Sequence, residues 1–201
     1  GDLLALALEP EGRLHEMPVA DPRAGSHTIE RVVFSEEDLA RRIEQLGREI
    51  AEAAPEDAEI LLVGMLKGSC LFLADLARAI PRPVRLDFMV AASYHAGTVS
   101  SGEVTLKYEP DTSLKGRFVV IVEDIIDSGT TLSRLLPVFE AQEPAHLEVC
   151  ALLHKRLVTL DPPARFVGFD APPAFLVGYG LDFAEQFRNL PYIGVLRTDE
   201  G

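Results

Sequence analysis

Apolar and polar positions follow two different periods along the chain. Between residues 36 and 53 an apolar side chain recurs every three or four positions, which predicts an amphipathic helix. Ser35 precedes this segment and three acidic residues follow it, as is typical of a helix N-terminus. Residues 59–66, EILLVGML, are instead almost continuously apolar, which is the pattern of a strand buried on both faces of a sheet.

The same two patterns continue towards the C-terminus. They predict helices over 69–80 and 131–142, and strands over 84–91, 103–108, 117–122, 146–153, 166–169, 175–177 and 192–196. Because strands and helices alternate, we predict an α/β fold with a central parallel sheet flanked by helices. In such sheets ligands bind beyond the carboxyl ends of the strands, so the residues that follow each apolar run are the candidates for a site. The segment 93–102 has no apolar period, and we expect a mobile loop there.

The N-terminal end differs from the rest of the chain. Residues 1–28 contain three prolines and two acid-rich turns, and we expect a loosely ordered arm before a domain that spans 29–201. The apolar run at 3–8 is compatible with a short strand. It is too short for a signal peptide, follows an acidic residue and lacks a basic flank.

Composition narrows the class of protein. The chain has 201 residues, 47% of them apolar, which suits one globular domain, and no apolar run approaches the roughly 18 residues of a membrane span. A net charge of −13 argues against binding to nucleic acid. Cys70 and Cys150 are far apart and form no CxxC motif, which indicates buried thiols in a reducing compartment. We therefore expect a cytoplasmic protein whose partners are small molecules, with no nucleic acid and no membrane.

The strand predicted at 117–122 runs directly into two acids, Glu123 and Asp124, and then into the turn DSGTT at 127–131. An adjacent acid pair alone is usually solvated at a strand end, and such a turn alone is usually a helix N-cap. Together they also fit a phosphate site, in which the turn binds the anion while the acids bind hydroxyls or a hydrated Mg²⁺. Both interpretations stay open on these residues alone.

The segment VVIVEDIIDSGTTL resembles the phosphoribosyl pyrophosphate signature of the type I phosphoribosyltransferases, and its details resemble the hypoxanthine-guanine branch in its bacterial form. Further matching segments lie at 62–80, 87–102, 154–156 and 167–196, and the resemblance covers about residues 29–197. It implies a glycosyltransferase of purine salvage, which moves the 5-phosphoribosyl group to hypoxanthine or guanine and releases pyrophosphate. It also implies a core at about 36–160 and a small hood subdomain built from 161–197 and the N-terminal segment.

The resemblance assigns roles to the signature residues. Glu123 and Asp124 match the acids that contact the ribose hydroxyls, directly or through Mg²⁺, the expected cofactor. The turn matches the 5′-phosphate cradle, whose residues are Asp127, Ser128, Gly129, Thr130 and Thr131. Asp127 also matches the proposed general base for purine N7.

Other segments match the remaining parts of the family's site. Lys67 and Gly68 match the pyrophosphate loop, in which the resemblance implies a cis peptide between Leu66 and Lys67. Ser93 and Tyr94 match a loop that closes over the reacting centre, although the preceding Ala92 stands where some relatives carry a basic residue.

The C-terminal part matches the purine-binding end of the family. Lys155 matches the lysine that recognises the 6-oxo group, Phe175 the ring that stacks on the purine, and Leu176 the residue whose backbone meets the purine edge. Asp182 matches the ligand of a second Mg²⁺, and Arg188 matches an arginine that grips pyrophosphate. The family gives His154 no role.

Each of these residues also has an ordinary structural interpretation. Lys67 alone would be a solvated lysine, Asp127 a helix N-cap, Phe175 and Leu176 core residues, and Asp182 and Arg188 part of a polar turn. A regulatory protein that senses phosphoribosyl pyrophosphate and binds RNA or DNA is the alternative function, but the acidic chain lacks the basic surface that it needs. The resemblance further implies a homodimer or homotetramer.

Overall fold

The structure is a computed structural model that describes residues 18–92, 105–157 and 159–197. Its contacts divide the chain into two units. One unit comprises residues 40–173, and the other combines the described parts of the two chain ends, 18–39 and 174–197.

The elements follow one another in the order that the sequence patterns predict. They are β1 (Ile29–Phe34), α1 (Glu36–Ala53), β2 (Ile60–Met65), α2 (Cys70–Ala79), β3 (Val84–Ala92), β4 (Thr105–Tyr108), β5 (Phe118–Ile126), α3 (Thr130–Glu140), β6 (His146–His154), β7 (Phe166–Asp170), β8 (Leu176–Val177) and β9 (Ile193–Leu196). The predicted helices and strands are confirmed to within a few residues, except that β1 has no counterpart in the prediction.

A six-stranded sheet in the order β4-β3-β2-β5-β6-β7 forms the centre of the larger unit. The pairs β2–β3, β2–β5, β5–β6 and β6–β7 are parallel, which confirms the α/β class. The edge strand β4 departs from the parallel pattern, because it pairs antiparallel with β3. The sequence between these two strands lacks the helical pattern of a crossover, and antiparallel neighbours do not need one.

Apolar burial explains why β5 occupies the middle of this sheet. Its first five residues, from Phe118 to Val122, are all buried. Helix α3 contributes Leu132, Leu135, Leu136 and Phe139 to the same core. Apolar surface removed from water stabilises the fold by about 25 cal/mol per Å², so this layer fixes the position of the residues that follow β5.

Strand β5 is longer than predicted. Its pairing with β6 continues beyond the apolar run, with Ile125 opposite Leu153 and Ile126 opposite His154. The sequence pattern placed Glu123 and Asp124 after the end of the strand. In the structure they lie within its last part. The backbone hydrogen bonds of a parallel ladder do not depend on side-chain polarity, so the strand outlasts its apolar run.

The unit of the chain ends has its own small sheet, in the antiparallel order β1-β9-β8. Its core consists of Ala24, Ile29, Val177, Phe187, Leu190 and Leu196. The sequence predicted an N-terminal arm that ends at residue 28 and a hood that begins at residue 161. The contacts divide the chain after residues 39 and 173 instead, and the predicted boundaries stay a prediction. The apolar run at 3–8 and the loop at 93–102 lie outside the described residues.

Residues 18–28, which we expected to belong to a loosely ordered arm, make specific contacts in the part that the structure describes. Val19 forms an isolated bridge with Ile29, and a 3-10 helix spans Pro22–Ala24. The Asp21 carboxylate accepts hydrogen bonds from the backbone and guanidinium of Arg23 at 2.9 Å and from the Tyr192 hydroxyl at 3.1 Å.

None of the helices in the described ranges has the length and apolar character that crossing a bilayer requires.

The contacts of Asp21 lower its pKa from 3.8 to about 2, chiefly through the hydrogen bonds from Arg23. Burial, assisted by the neighbouring carboxylate, raises the pKa of Tyr192 to about 12. Because the folded-state pKa of Asp21 lies below its unfolded value, its ionisation stabilises the fold above about pH 4. That stabilisation is lost as the pH falls towards 2.

We expect Asp21→Asn to lower the free energy of unfolding at pH 7 by about 2 kcal/mol, because the side chain is only 6% exposed and its charged hydrogen bonds are lost. Urea unfolding at a series of pH values checks this, and the gap between the variant and the unaltered protein should narrow below pH 4. Asp57→Asn, which removes an exposed carboxylate, is the control. A gap that stays constant down to pH 2 would contradict the assignment.

Candidate active site

Strands β2, β5 and β6 are parallel neighbours in the sheet, so their carboxyl ends lie along one edge. Each is followed by a residue that the sequence singled out: Lys67 after β2, Asp127 after β5 and Lys155 after β6. The fold of the larger unit therefore gathers these three segments at the edge where doubly wound sheets bind ligands.

Asp127 and Lys155 are brought into direct contact. The Lys155 Nζ lies 3.1 Å from the Asp127 Oδ2 and donates a hydrogen bond to it. The Lys155 backbone N–H also donates to the Ile126 carbonyl at 3.0 Å, which extends the β5–β6 ladder by one bond. The Lys155 side chain is 19% exposed whereas that of Asp127 is 56% exposed, so the pair presents its acid to solvent.

The adjacent acids are held by their own backbone. The Asp124 Oδ1 accepts from the Ile125 N–H at 2.7 Å, and the Glu123 Oε1 accepts from the Asp124 N–H at 3.2 Å. Burial raises the pKa of Glu123 well above its ordinary value, and the nearby charge of Asp124 raises it further. The two carboxylates, both half-buried, thus form an acid pair whose mutual repulsion favours a proton, a cation or a hydroxyl donor beside them.

The loop after β2 packs its backbone against this acid pair. A Cβ added at Gly68 would overlap the carboxylate of Asp124, so only glycine permits the approach. The Leu66–Lys67 peptide is cis, as the resemblance implied. Ser69, which is fully buried, donates its hydroxyl to the Met65 carbonyl at 2.7 Å and holds the loop to the end of β2.

The DSGTT turn leads into α3, an 11-residue helix whose N-cap is Gly129 with a φ of 68°. This φ lies in the left-handed region that glycine adopts readily. Asp127 is therefore not the N-cap, and that interpretation is wrong because its carboxylate pairs with Lys155 instead. The Ser128 and Thr130 hydroxyls lie 3.0 Å apart, so the turn offers hydroxyls and amides at a helix N-terminus.

Phe175 and Leu176 differ from each other in the unit of the chain ends. Leu176 begins β8 and is buried, as a core residue would be. Phe175 is 46% exposed, so its interpretation as a core residue is wrong. The ring of Phe183 meets it edge-on, with centroids 5.6 Å apart and planes at 89°. The Phe175 side chain is thus partly accessible for stacking and in contact with a second ring.

Asp182 and Arg188 form an ion pair at 3.2 Å within the same unit. The Arg188 Nη1 also donates to the Gly180 carbonyl at 2.6 Å, and its Nη2 lies 3.2 Å from Glu185. Sequence reasoning missed Glu185. Its N–H donates to Asp182 from a residue with a φ of 65°, a geometry that no simple sequence signal marks.

Several expectations cannot be placed. Ser93 and Tyr94 lie outside the described residues. Of the proposed metal ligands, Glu123 and Asp124 belong to the larger unit and Asp182 to the unit of the chain ends. Within the described ranges no three histidine, cysteine or acidic side chains are grouped as a metal site.

Comparison with known proteins adds an independent line of evidence. The model of the phosphoribosyl transferase domain matches residues 35–184. The hypoxanthine-guanine phosphoribosyltransferase of Bacillus subtilis is 46% identical over 172 residues, which are 85% of this chain and 95% of that protein. The hypoxanthine phosphoribosyltransferase of Salmonella typhimurium is 44% identical over 177 residues, which are 87% of this chain and 99% of that protein.

Solved structures agree with these relatives. A hypoxanthine-guanine phosphoribosyltransferase from Bacillus anthracis superposes with a TM-score of 0.77 at 40% identity, covering 85% of this chain and 98% of its own. A hypoxanthine phosphoribosyltransferase from Staphylococcus aureus has a TM-score of 0.78 at 37% identity, covering 84% of this chain and 92% of its own. The chain belongs to the phosphoribosyltransferase family, in the branch of the hypoxanthine-guanine phosphoribosyltransferases.

Proposed function

We propose that the chain is an enzyme of purine salvage that transfers the 5-phosphoribosyl group from 5-phosphoribosyl 1-pyrophosphate to a 6-oxopurine. Hypoxanthine would give IMP and guanine would give GMP, with release of pyrophosphate. In this reaction the bond between C1′ and the pyrophosphate oxygen breaks, a bond between C1′ and a purine nitrogen forms, and the purine loses one proton. Family membership supports this reaction class.

The observation that carries the proposal is the ion pair of Asp127 and Lys155. A 6-oxopurine presents O6 and N7 side by side on one edge, so a donor and an acceptor about 3 Å apart can meet both atoms. The Lys155 Nζ and the Asp127 Oδ2 lie 3.1 Å apart. Lys155 would donate to O6 and Asp127 would accept the proton from N7. Adenine carries an amino group in place of O6. Its amino donor would then face the ammonium donor of Lys155, and no hydrogen bond could form between them.

The acid pair supports binding of the ribose and the cofactor Mg²⁺. Glu123 and Asp124 supply carboxylate oxygens, which are the donors that this hard cation prefers. Partial burial and the adjacent charge of Asp124 raise the pKa of Glu123, and a cation or sugar hydroxyls would relieve this cost. Mg²⁺ held there would supply positive charge to offset the negative charge of the pyrophosphate leaving group. Asp182 is proposed as the ligand of a second ion.

The phosphates are assigned to three further segments. The turn from Asp127 to Thr131 would hold the 5′-phosphate with its hydroxyls and with the amides that begin α3. The loop at Lys67 and Gly68 would hold pyrophosphate, as would Arg188, whose guanidinium fork suits that anion. Forming these contacts requires Arg188 to exchange part of its pairing with Asp182 and Glu185.

The purine face and the assembly complete the proposal. Phe175 would stack on the base with its partly accessible side chain, and the backbone of Leu176 would meet the purine edge. Ser93 and Tyr94, as parts of a closing loop, stay predictions. A homodimer or homotetramer and a cytoplasmic location also belong to the proposal and rest on the family resemblance.

The direct test is an assay of the purified chain with Mg²⁺, 5-phosphoribosyl 1-pyrophosphate and each purine base in turn. We expect IMP from hypoxanthine and GMP from guanine, with adenine a far poorer substrate because two donors would oppose each other. Product formation is followed by chromatography of the nucleotides. If neither hypoxanthine, guanine nor xanthine is converted, the proposed function is wrong.

Asp127→Asn should lower kcat by about 10²–10⁴-fold, since a positioned general base contributes that much. The KM for 5-phosphoribosyl 1-pyrophosphate should change little because the amide keeps the size of the side chain. Steady-state kinetics measure both constants. Glu143→Gln, which breaks an exposed ion pair with Lys115, is the control and should keep full activity. Unchanged kcat in Asp127→Asn would remove the base from the mechanism.

Gly68→Ala should raise the KM for 5-phosphoribosyl 1-pyrophosphate by about 10-fold or more, because the added methyl group must displace the Asp124 carboxylate. Thermal stability should change little, since the displaced atoms are the end of a side chain. Gly116→Ala is the matched control. It meets no atom within 4 Å but sits at a φ of 71°, so it should lose stability and keep its KM. Equal KM values in the two variants would contradict the role of this contact.

A further inference from the structure

His154 is the last residue of β6, directly before Lys155, and only 4% of it is exposed. Its Nδ1 accepts a hydrogen bond from the backbone N–H of Arg156 at 2.7 Å. We propose that His154 is a positioning residue, which fixes the turn that carries Lys155 and thereby sets how tightly the 6-oxo group of the purine is bound. This inference rests on the proposed function, which assigns Lys155 to that group.

The turn after β6 needs this hydrogen bond because its backbone is strained. Arg156 has a φ of 56°, in the left-handed region that residues with a side chain rarely adopt. The imidazole satisfies the Arg156 N–H in that conformation, and the unpartnered N–H would otherwise disfavour it. The carbonyl of His154 accepts from the Ala171 N–H at 2.9 Å, so His154 itself is anchored to the chain after β7.

Two hydrogen bonds thereby hold the backbone on either side of the Lys155 side chain. The Lys155 N–H donates to the Ile126 carbonyl at 3.0 Å, and the Arg156 N–H donates to the His154 Nδ1. A lysine side chain has four rotatable bonds, so the position of its Nζ relies on a fixed backbone. With the backbone fixed, the Nζ meets the Asp127 carboxylate at 3.1 Å. A turn free to change its φ would spread the Nζ over many positions and weaken its bond to O6.

The Nδ1 can accept only if the imidazole is neutral and carries its proton on Nε2. Burial lowers the pKa of His154, and the charge of Arg156 lowers it further, against a smaller opposite effect of Asp170. His154 is therefore neutral at pH 7 and able to accept. The guanidinium of Arg156 is itself held 2.7 Å from Asp170 at the end of β7, which keeps both charges beside the turn.

Two amide variants form a matched pair for the experiment. In His154→Asn the amide oxygen stands close to the place of Nδ1, so the bond to the Arg156 N–H can form. In His154→Gln the oxygen lies one bond further out, near the place of Nε2, so it cannot. Against the unaltered protein, we expect the KM for hypoxanthine to rise about fivefold in the glutamine variant, the loss of one hydrogen bond, and to stay within about twofold in the asparagine variant.

The KM for 5-phosphoribosyl 1-pyrophosphate should stay unchanged in both variants, which separates positioning of Lys155 from general loss of folding. A purine KM that is equal in the two variants, or a parallel rise of both KM values in the glutamine variant, overturns the proposal. Failure of the unaltered protein to convert any purine would instead reject the proposed function, so the two failures are distinguishable.

A measurement on the unaltered protein tests the geometry even if a variant fails to fold. In a ¹⁵N-labelled sample the Arg156 amide nitrogen and the His154 Nδ1 should show a scalar coupling through the hydrogen bond, with Nδ1 unprotonated at pH 7. A protonated Nδ1, or no coupling where the Arg156 amide is resolved, overturns the proposal without reference to activity.

Discussion

The parallel pairing of β5 with β6 is the interaction on which the candidate site depends. It runs from Phe118 and His146 through the buried core and keeps one register to Ile126 and His154. Because the ladder reaches this far, two residues that are 28 positions apart in the chain leave the sheet side by side, as an acid and a base. Hydrophobic burial at one end of the strands therefore determines the position of charges at the other end.

The same ladder sets the environment of the acid pair. A strand that ended at Val122 would release Glu123 and Asp124 into a solvated loop, where each carboxylate would titrate as an ordinary acid. Held in β5, they lie next to each other and half-buried, and the pKa of Glu123 rises as a result. The electrostatic repulsion between the two carboxylates favours binding of a cation or of hydroxyl donors, because such a ligand relieves that repulsion.

Much of this fold was predictable because apolar periodicity marks buried helices and strands reliably. The features that the sequence did not predict were missed for physical reasons. The end of β5 was missed because backbone pairing continues where side-chain polarity changes. Strand β1 was missed because only its first residue is fully buried and its sequence mixes charged with apolar side chains. Phe175 and Leu176 look alike in sequence, yet burial separates them. Glu185 and the support that Arg156 draws from His154 depend on left-handed backbone geometry, which periodicity does not report. The residue roles came from the family resemblance and not from spacing.

Gly68 has a consequence for how the site can change. Its backbone occupies the space beside the Asp124 carboxylate, so the loop after β2 and the acid in β5 share one small volume. A side chain can be gained on the loop only if the acid gives up its place. Variation at these two positions is therefore coupled, because a larger residue at position 68 fits only beside a smaller one at position 124 or with the carboxylate displaced. Redesign of this edge of the sheet has to change positions 68 and 124 together.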